Sequence, residues 1–272
     1  MSAEKNHPSV LQKEKLMGVK RIKMLNTFID VLNIEQTVDE VKHYLAEHRP
    51  LHLMGVNADK INMMSKNKRL KQIVNSCGII NADGASIILA GRFLGKPLPE
   101  RVAGVDLMME LVKLASSEQH KIFLLGAKQE IVEKTAEVLQ KKYPSLDIAG
   151  IRNGYFKREQ WDDIAEQIKD SRARIVFVGI SSPLKEYIID YFLNEKGINC
   201  IFMGVGGSFD VISGAIRRAP LWMRRLNLEW LFRFLQEPVR LFHRYFIGNW
   251  QFVIAVAREK RKGKNESFND RR

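Results

Sequence analysis

The chain has 272 residues, 45% of them hydrophobic and 28% charged, enough to bury the core of one large domain or of a domain with an appendage, so a disordered chain is excluded. Its formal net charge of +13 calls for an anionic partner: nucleic acid, a membrane surface or a phosphorylated ligand. Cys77 and Cys200 are the only cysteines and have no C-x-x-C spacing, which argues against a disulfide framework or a zinc site and for a reducing compartment.

The lysine-rich start, MSAEKNHPSVLQKEKLMGVKRIKML, has no unbroken apolar stretch and does not read as a signal peptide. Residues 1–24 are expected to form a flexible arm. Thr37 and Glu40 have capping-box spacing in TVDEVKHYLAEH, which predicts a helix there. Short apolar runs follow at 51–57 (LHLMGVN), 78–83 (GIINAD), 120–126 (HKIFLLG), 174–180 (RIVFVGI) and 198–207 (INCIFMGVGG). They read as buried parallel strands. Amphipathic stretches at 129–143 and 183–197 read as helices, the second with Pro183 in its first turn. This alternation predicts an α/β catalytic domain over residues 25–211, with a mostly parallel sheet flanked by helices. Ligands of such sheets bind beyond the carboxyl ends of the strands, where Asn57, Asp83, Gly126, Ser181 and Gly206 fall.

From residue 212 to 272 the strand signal stops. Arg217, Arg218, Arg224, Arg225, Arg233, Arg240 and Arg244 are interleaved with Trp222, Trp230, Phe234, Phe242 and Trp250. Helices with arginines on one side and aromatics on the other suit an anionic membrane surface, so this part is expected to be a basic helical membrane-associating appendage and tail. Each aromatic taken singly suits a packed core stripe as well. Pro220 and Pro238 are expected to divide the segment into short helices. YFIGNWQFVIAVA (245–257) is too short and too polar, through Asn249 and Gln251, to span a bilayer.

The common catalytic signatures are absent: no Walker loop, no G-x-G-x-x-G after the first strand, no H-E-x-x-H and no G-x-S-x-G. Gly206 and Gly207, at the end of the fifth apolar run, could bring backbone N–H groups to a diphosphate or simply make a turn. Asp83 before GASIILA has the makings of a helix N-cap.

Taken together, NADG (81–84), PERVAGVD (99–106), NGYF (153–156), GVGGSFDVISG (204–214), RRAP (217–220) and LEWLFRFLQEPVRLFHRY (228–245) resemble the WecG/TagA/CpsF family of bacterial glycosyltransferases, in order from about residue 27 to about residue 247. The resemblance implies inverting transfer of a hexose-type sugar (N-acetylmannosamine, its uronic acid, glucose or similar). The donor would be a UDP-sugar and the acceptor a polyprenyl-diphosphate-linked sugar. The setting would be the cytoplasmic face of the plasma membrane, with a peripheral enzyme serving teichoic acid, common antigen or exopolysaccharide assembly. It implies no nucleic-acid partner and leaves a homo-oligomer open. No Asp-x-Asp pair is present, so neither metal nor other cofactor is expected.

The resemblance also implies roles. Asp83 becomes the general base that takes the acceptor proton. Asn57 would bond substrate hydroxyls, or cap the helix beginning at Ala58. Arg101 would neutralise the departing diphosphate, or be a surface arginine. Asp210 would meet the nucleotide, or be a turn acid. Arg233, Arg240 and Arg244 would fold over the site toward the lipid diphosphate, or form a solvated face. The chain departs from the family pattern twice. Gly55-Val56-Asn57 stands where relatives carry T-x-N, and Pro183-Leu184-Lys185-Glu186 where many carry P-x-Q-E. Lys185 would pair with a diphosphate or with a donor carboxylate, which leaves the donor sugar open. The competing expectation is a non-enzymatic membrane or polyanion-binding protein.

Overall fold

A computed structural model describes residues 18–226, 228–242 and 248–269. Strands β1 (Arg21–Met24) and β2 (Thr27–Asp30) pair as an antiparallel hairpin. Arg21 donates to both carboxylate oxygens of buried Asp30, at 2.6 and 2.8 Å, and to the Gly78 carbonyl at 2.6 Å. Asp30 in turn accepts the Ile80 amide at 2.7 Å. The hairpin is therefore fastened to the main sheet, and residues 21–24, expected within the arm, are structured. Their lysine-rich composition hides a strand whose stabilising partner lies nine residues downstream. Residues 1–17 of the expected arm lie outside the described residues.

Helix α1 (Ile34–Ala46) starts at a capping box, but between Asn33 and Gln36 rather than Thr37 and Glu40. Thr37 is buried inside the helix, its hydroxyl within hydrogen-bond distance of Asn33 O and Asn81 Oδ1. The chain then alternates as expected: β3 (Leu51–Val56), α2 (Ala58–Lys66), α3 (Lys68–Ser76), β4 (Ile79–Ala82), α4 (Ala85–Phe93) and α5 (Gly104–Ser117). It continues through β5 (Ile122–Gly126), α6 (Gln129–Lys142), β6 (Ile148–Arg152), α7 (Trp161–Ser171) and β7 (Ile175–Gly179). The domain ends with α8 (Leu184–Asp190), prolonged by a π-helical turn to Glu195, then β8 (Ile201–Gly204) and α9 (Ser208–Ile212). Asn33, Asn57 and Asn67 each cap a helix with a side-chain oxygen, a contribution of about 1 kcal/mol apiece.

Six parallel strands lie in the order β4-β3-β8-β7-β5-β6. Alternate residues feed opposite faces, as the period of two requires. Leu51, Leu53, Leu124, Phe177 and Met203 pack with α1, α5, α6 and Phe209 of α9. Met54, Val56, Ile80 and Ala82 pack with α2, α3 and α4 on the other face, and Leu125, Val176 and Phe202 with α7 and α8. Neighbouring strands β3 and β8 thus send their following helices, α2 and α9, to opposite faces. A crevice must open between them at the carboxyl end.

After α9 come α10 (Leu221–Arg225), α11 (Glu229–Gln236), α12 (Pro238–Phe242) and α13 (Asn249–Asn269). Pro220 and Pro238 open α10 and α12, where a missing N–H costs nothing. The last helix is more than a tail. Phe252 and Val256 of α13 are buried in the core between α2 and α4, the Asn62 side chain donates to Gly248 O at 2.7 Å, and Lys96 pairs with Glu259 at 3.1 Å. Among the described residues no helix is long and apolar enough to cross a membrane.

Candidate active site

Asp83 follows β4 and stands in the crevice. Its amide donates to Val56 O at 2.8 Å, which fixes the backbone against the end of β3. Its side chain is not the helix cap that its position suggests, because Gly84 occupies the N-cap of α4 and no side chain caps that helix. Two glycines make room for the carboxylate: a Cβ on Gly55 would lie 3.0 Å from the Asp83 Cβ, and one on Gly104 would lie 3.7 Å from Oδ2. Burial pushes the Asp83 carboxyl above the ordinary aspartate range, against the pull of Arg101, Lys185 and Arg233 and with a smaller push from Glu229. A carboxylate held this way is a stronger base than one in water.

Two cavities meet at this residue. The larger, about 1250 Å³, runs over the strand ends and is walled by Gly55, Asn57, Tyr155, Lys185, Gly206 and Asp210 among others. It exceeds the range of about 300–1,000 Å³ usual for small-molecule sites. The smaller, about 390 Å³, is lined by Ser86 and Leu89 of α4, by Arg101, and by Glu229, Trp230 and Arg233 of α11. Asn57, Asp83, Gly207 and Arg233 line both.

In the large cavity the cation is set with care. Lys185 lies along Gly204, where a Cβ would meet its Cε at 3.1 Å. Its ammonium comes 3.7 Å from the place of a Cβ on Gly206, whose φ is +52°. Glu186 behind it is fully buried and pairs with buried Lys60, with Ser182 at 3.0 Å and with Lys185 at 3.8 Å. Burial raises the Glu186 carboxyl, but Lys60 and Lys185 outweigh it and hold the group below its ordinary range. Nearby His52 on β3 is buried and pushed down to about 3, chiefly by desolvation, so it is neutral. Asn57 spends its side-chain oxygen on the α2 cap, at 2.9 Å from Lys60 N, which leaves the amide NH₂ as the group it presents. Asp210 sits in the first turn of α9, its Oδ2 3.6 Å from the place of a Cβ on Gly207. Tyr155 is 72% exposed on the cavity rim. It follows edge strand β6, so it lies at the far end of the sheet from Asp83.

Arg101, Glu229 and Arg233 wall the small cavity, and ion pairs behind them, through Asp106, Arg218 and Arg224, join distant motifs. Arg101 donates to Glu229 at 3.0 Å. Arg218 pairs with Asp106 at 2.6 Å and approaches Glu229 at 3.6 Å. Arg224 lies 3.9 Å from Asp106, and Arg233 3.9 Å from Glu229. Of the sequence-predicted residues, Asn57, Asp83, Lys185, Gly206, Gly207, Asp210 and Arg233 thus share the large cavity, and Arg101 lines the small one. Arg240 belongs to α12, but its side chain, like all of Arg244, lies outside the described residues. Sequence reasoning missed Glu229, Asp106, Arg218, Lys60 and Tyr155, although all but Lys60 stand in the quoted motifs.

Comparison with known proteins gives the family. The family model described as "Glycosyl transferase WecG/TagA/CpsF family" matches residues 22–266. A Staphylococcus aureus (strain MW2) protein named N-acetylglucosaminyldiphosphoundecaprenol N-acetyl-beta-D-mannosaminyltransferase is 31% identical over 251 residues, 92% of this chain and 98% of its own length. A protein of the same name from Bacillus spizizenii (strain ATCC 23059 / NRRL B-14472 / W23) is 30% identical over 218 residues, 80% of this chain and 83% of its own. With an α/β sheet, a carboxylate at its switch point and a family match over nearly its whole length, the chain belongs to the WecG/TagA/CpsF family and is a glycosyltransferase.

Proposed function

We propose that the protein moves a hexose-type sugar from a UDP-sugar to a sugar carried on a polyprenyl diphosphate, with inversion, in cell-surface polysaccharide or teichoic acid assembly. The observation that carries this reading is Asp83, a carboxylate with a raised pKa that caps no helix and stands where the two cavities meet. The large cavity takes the donor. Tyr155 offers a ring for the base, and Asp210 an acceptor for ribose or uracil. The N–H groups of Gly206 and Gly207, with Lys185, meet the diphosphate, and no metal is required. The small cavity takes the acceptor. Arg101 lines only this cavity, so we assign it, with Arg233, to the acceptor diphosphate, whereas the resemblance implies the departing one.

In the reaction the acceptor hydroxyl gives its proton to Asp83 as its oxygen bonds to the anomeric carbon. The bond from that carbon to UDP breaks on the opposite face, and the electron pair leaves with UDP. The anomeric configuration inverts because attack and departure are in line.

The membrane part of the proposal rests on exposed apolar side chains beside the small cavity. Leu89 and Phe93 of α4, Trp222, Trp230 and Trp250 are all 41–67% exposed. With the basic residues around them they suit a peripheral seat on an anionic cytoplasmic leaflet, where a lipid-linked acceptor would arrive. The test is a panel of UDP-sugars offered with a short-chain lipid-diphosphate-linked sugar in detergent. One donor should give a disaccharide product with inverted anomeric configuration. UDP that neither binds nor inhibits would overturn the assignment of a UDP-sugar as the donor.

A further inference from the structure

The arginines of the small cavity converge on one side chain from the appendage. Glu229 opens α11 and is buried, at 6% exposure, although it is a carboxylate. Its Oε2 accepts Arg101 Nη2 at 3.0 Å. Its Oε1 faces Arg218 Nε at 3.6 Å and Arg233 Nη2 at 3.9 Å and takes no hydrogen bond within the protein. Three guanidinium groups from three segments, the loop before α5, the loop before α10 and α11 itself, are thus ordered around one buried charge. A second carboxylate, Asp106, holds Arg218 from the other side at 2.6 Å.

We infer that Glu229 is a positioning residue for sugar transfer: by accepting a hydrogen bond from Arg101 and facing Arg218 and Arg233, it holds the Arg101 guanidinium toward the acceptor diphosphate. A guanidinium presents five donors in a rigid fork. Glu229 accepts one hydrogen bond from Arg101 Nη2, which narrows the orientations in which the fork presents its remaining donors. Without the carboxylate, mutual repulsion among Arg101, Arg218 and Arg233 would spread them. Because Glu229 is carried on α11 while Arg101 belongs to the sheet domain, the same contact joins the two parts of the chain. The inference rests on the assignment of Arg101 to the acceptor diphosphate.

The test is a double-mutant cycle on the full chain with Arg101→Ala, Glu229→Ala and both, measuring kcat and KM for acceptor and donor separately. Arg101→Ala and Glu229→Ala should each lower kcat/KM for the acceptor by roughly 10-fold while leaving the donor KM and UDP affinity within about twofold. The double variant should lose no more than Glu229→Ala alone. Glu229→Gln, which keeps an acceptor oxygen but not the charge, should fall between wild type and Glu229→Ala, and it serves if the alanine variant does not fold. Losses that multiply to roughly 100-fold, or a donor KM that rises with the acceptor KM, would overturn the coupling and leave Glu229 a purely structural contact. Unchanged transfer by Arg101→Ala alone would overturn the assignment of Arg101, and the inference with it.

Discussion

The large cavity is walled by strand ends and glycine-bearing turns that a six-stranded sheet holds in place, whereas the small one is walled by arginines and a tryptophan balanced on two carboxylates. The first kind of wall depends mainly on hydrophobic packing through two faces of the sheet, with the buried charges of Lys60, Glu186 and Lys185 at one side of it. The second depends on charge throughout. Helices α10, α11 and α12 have 5, 8 and 5 residues, far below the length at which a helix is stable alone. They are held by Glu229 and Asp106 and by burial of Met223 and Leu241. The difference teaches where each half breaks: substitutions of the charges around Glu229 should damage the acceptor half and spare nucleotide binding.

The largest effect is expected at the junction. Asp83→Asn removes the base and keeps the shape, so turnover should fall by about 100-fold or more with UDP affinity nearly unchanged. A parallel loss of UDP affinity would show that the two cavities are not separable at this residue. Next comes the charged half. Each arginine near an anionic surface contributes about 1 kcal/mol, so replacing Arg233, Arg240 and Arg244 together by Glu should weaken binding to anionic vesicles by about 100-fold or more. It should also reduce transfer to a short-chain acceptor in detergent, where recruitment no longer matters. A triple variant that sediments with vesicles and turns over like wild type would make the appendage a packed cap only. A smaller effect is expected in the sheet half from Lys185→Gln. Loss of one charge-assisted contact to the diphosphate is worth on the order of 10-fold in affinity, so UDP and every UDP-sugar should bind more weakly while acceptor KM holds. An unaltered UDP affinity would remove Lys185 from the donor site.

The same division explains what could be read from the sequence. Strands β3, β4, β5, β7 and β8 announce themselves because burial on both faces demands continuous apolar runs. Strand β6, Ile148–Arg152, escaped because it is an edge strand whose residues are mostly half-buried, so its composition carries little signal. It matters, since it brings Tyr155 to the cavity. Asp83 was visible as an acid at a strand end, but only the structure shows that it does not cap α4, because Gly84 takes the cap position. The charged half was least legible. Arg101 with Glu229, and Arg218 with Asp106, join positions 128 and 112 residues apart. No local pattern encodes a pairing of that kind, and each arginine read alone is indistinguishable from a solvated one.

The account stands on Asp83 acting as a base from a site that raises its pKa. The direct measurement is the wild-type pH dependence of kcat/KM, which reports the groups of the unliganded enzyme, from about pH 3 to about pH 9. A protonated Asp83 cannot accept the acceptor's proton. Because its folded-state pKa is raised, kcat/KM should fall with decreasing pH through a midpoint above the ordinary aspartate value of 3.8, and the residual rate of Asp83→Asn should lack that limb. An acid limb at or below 3.8, or the same limb retained in Asp83→Asn, would contradict the assignment of Asp83 as the base.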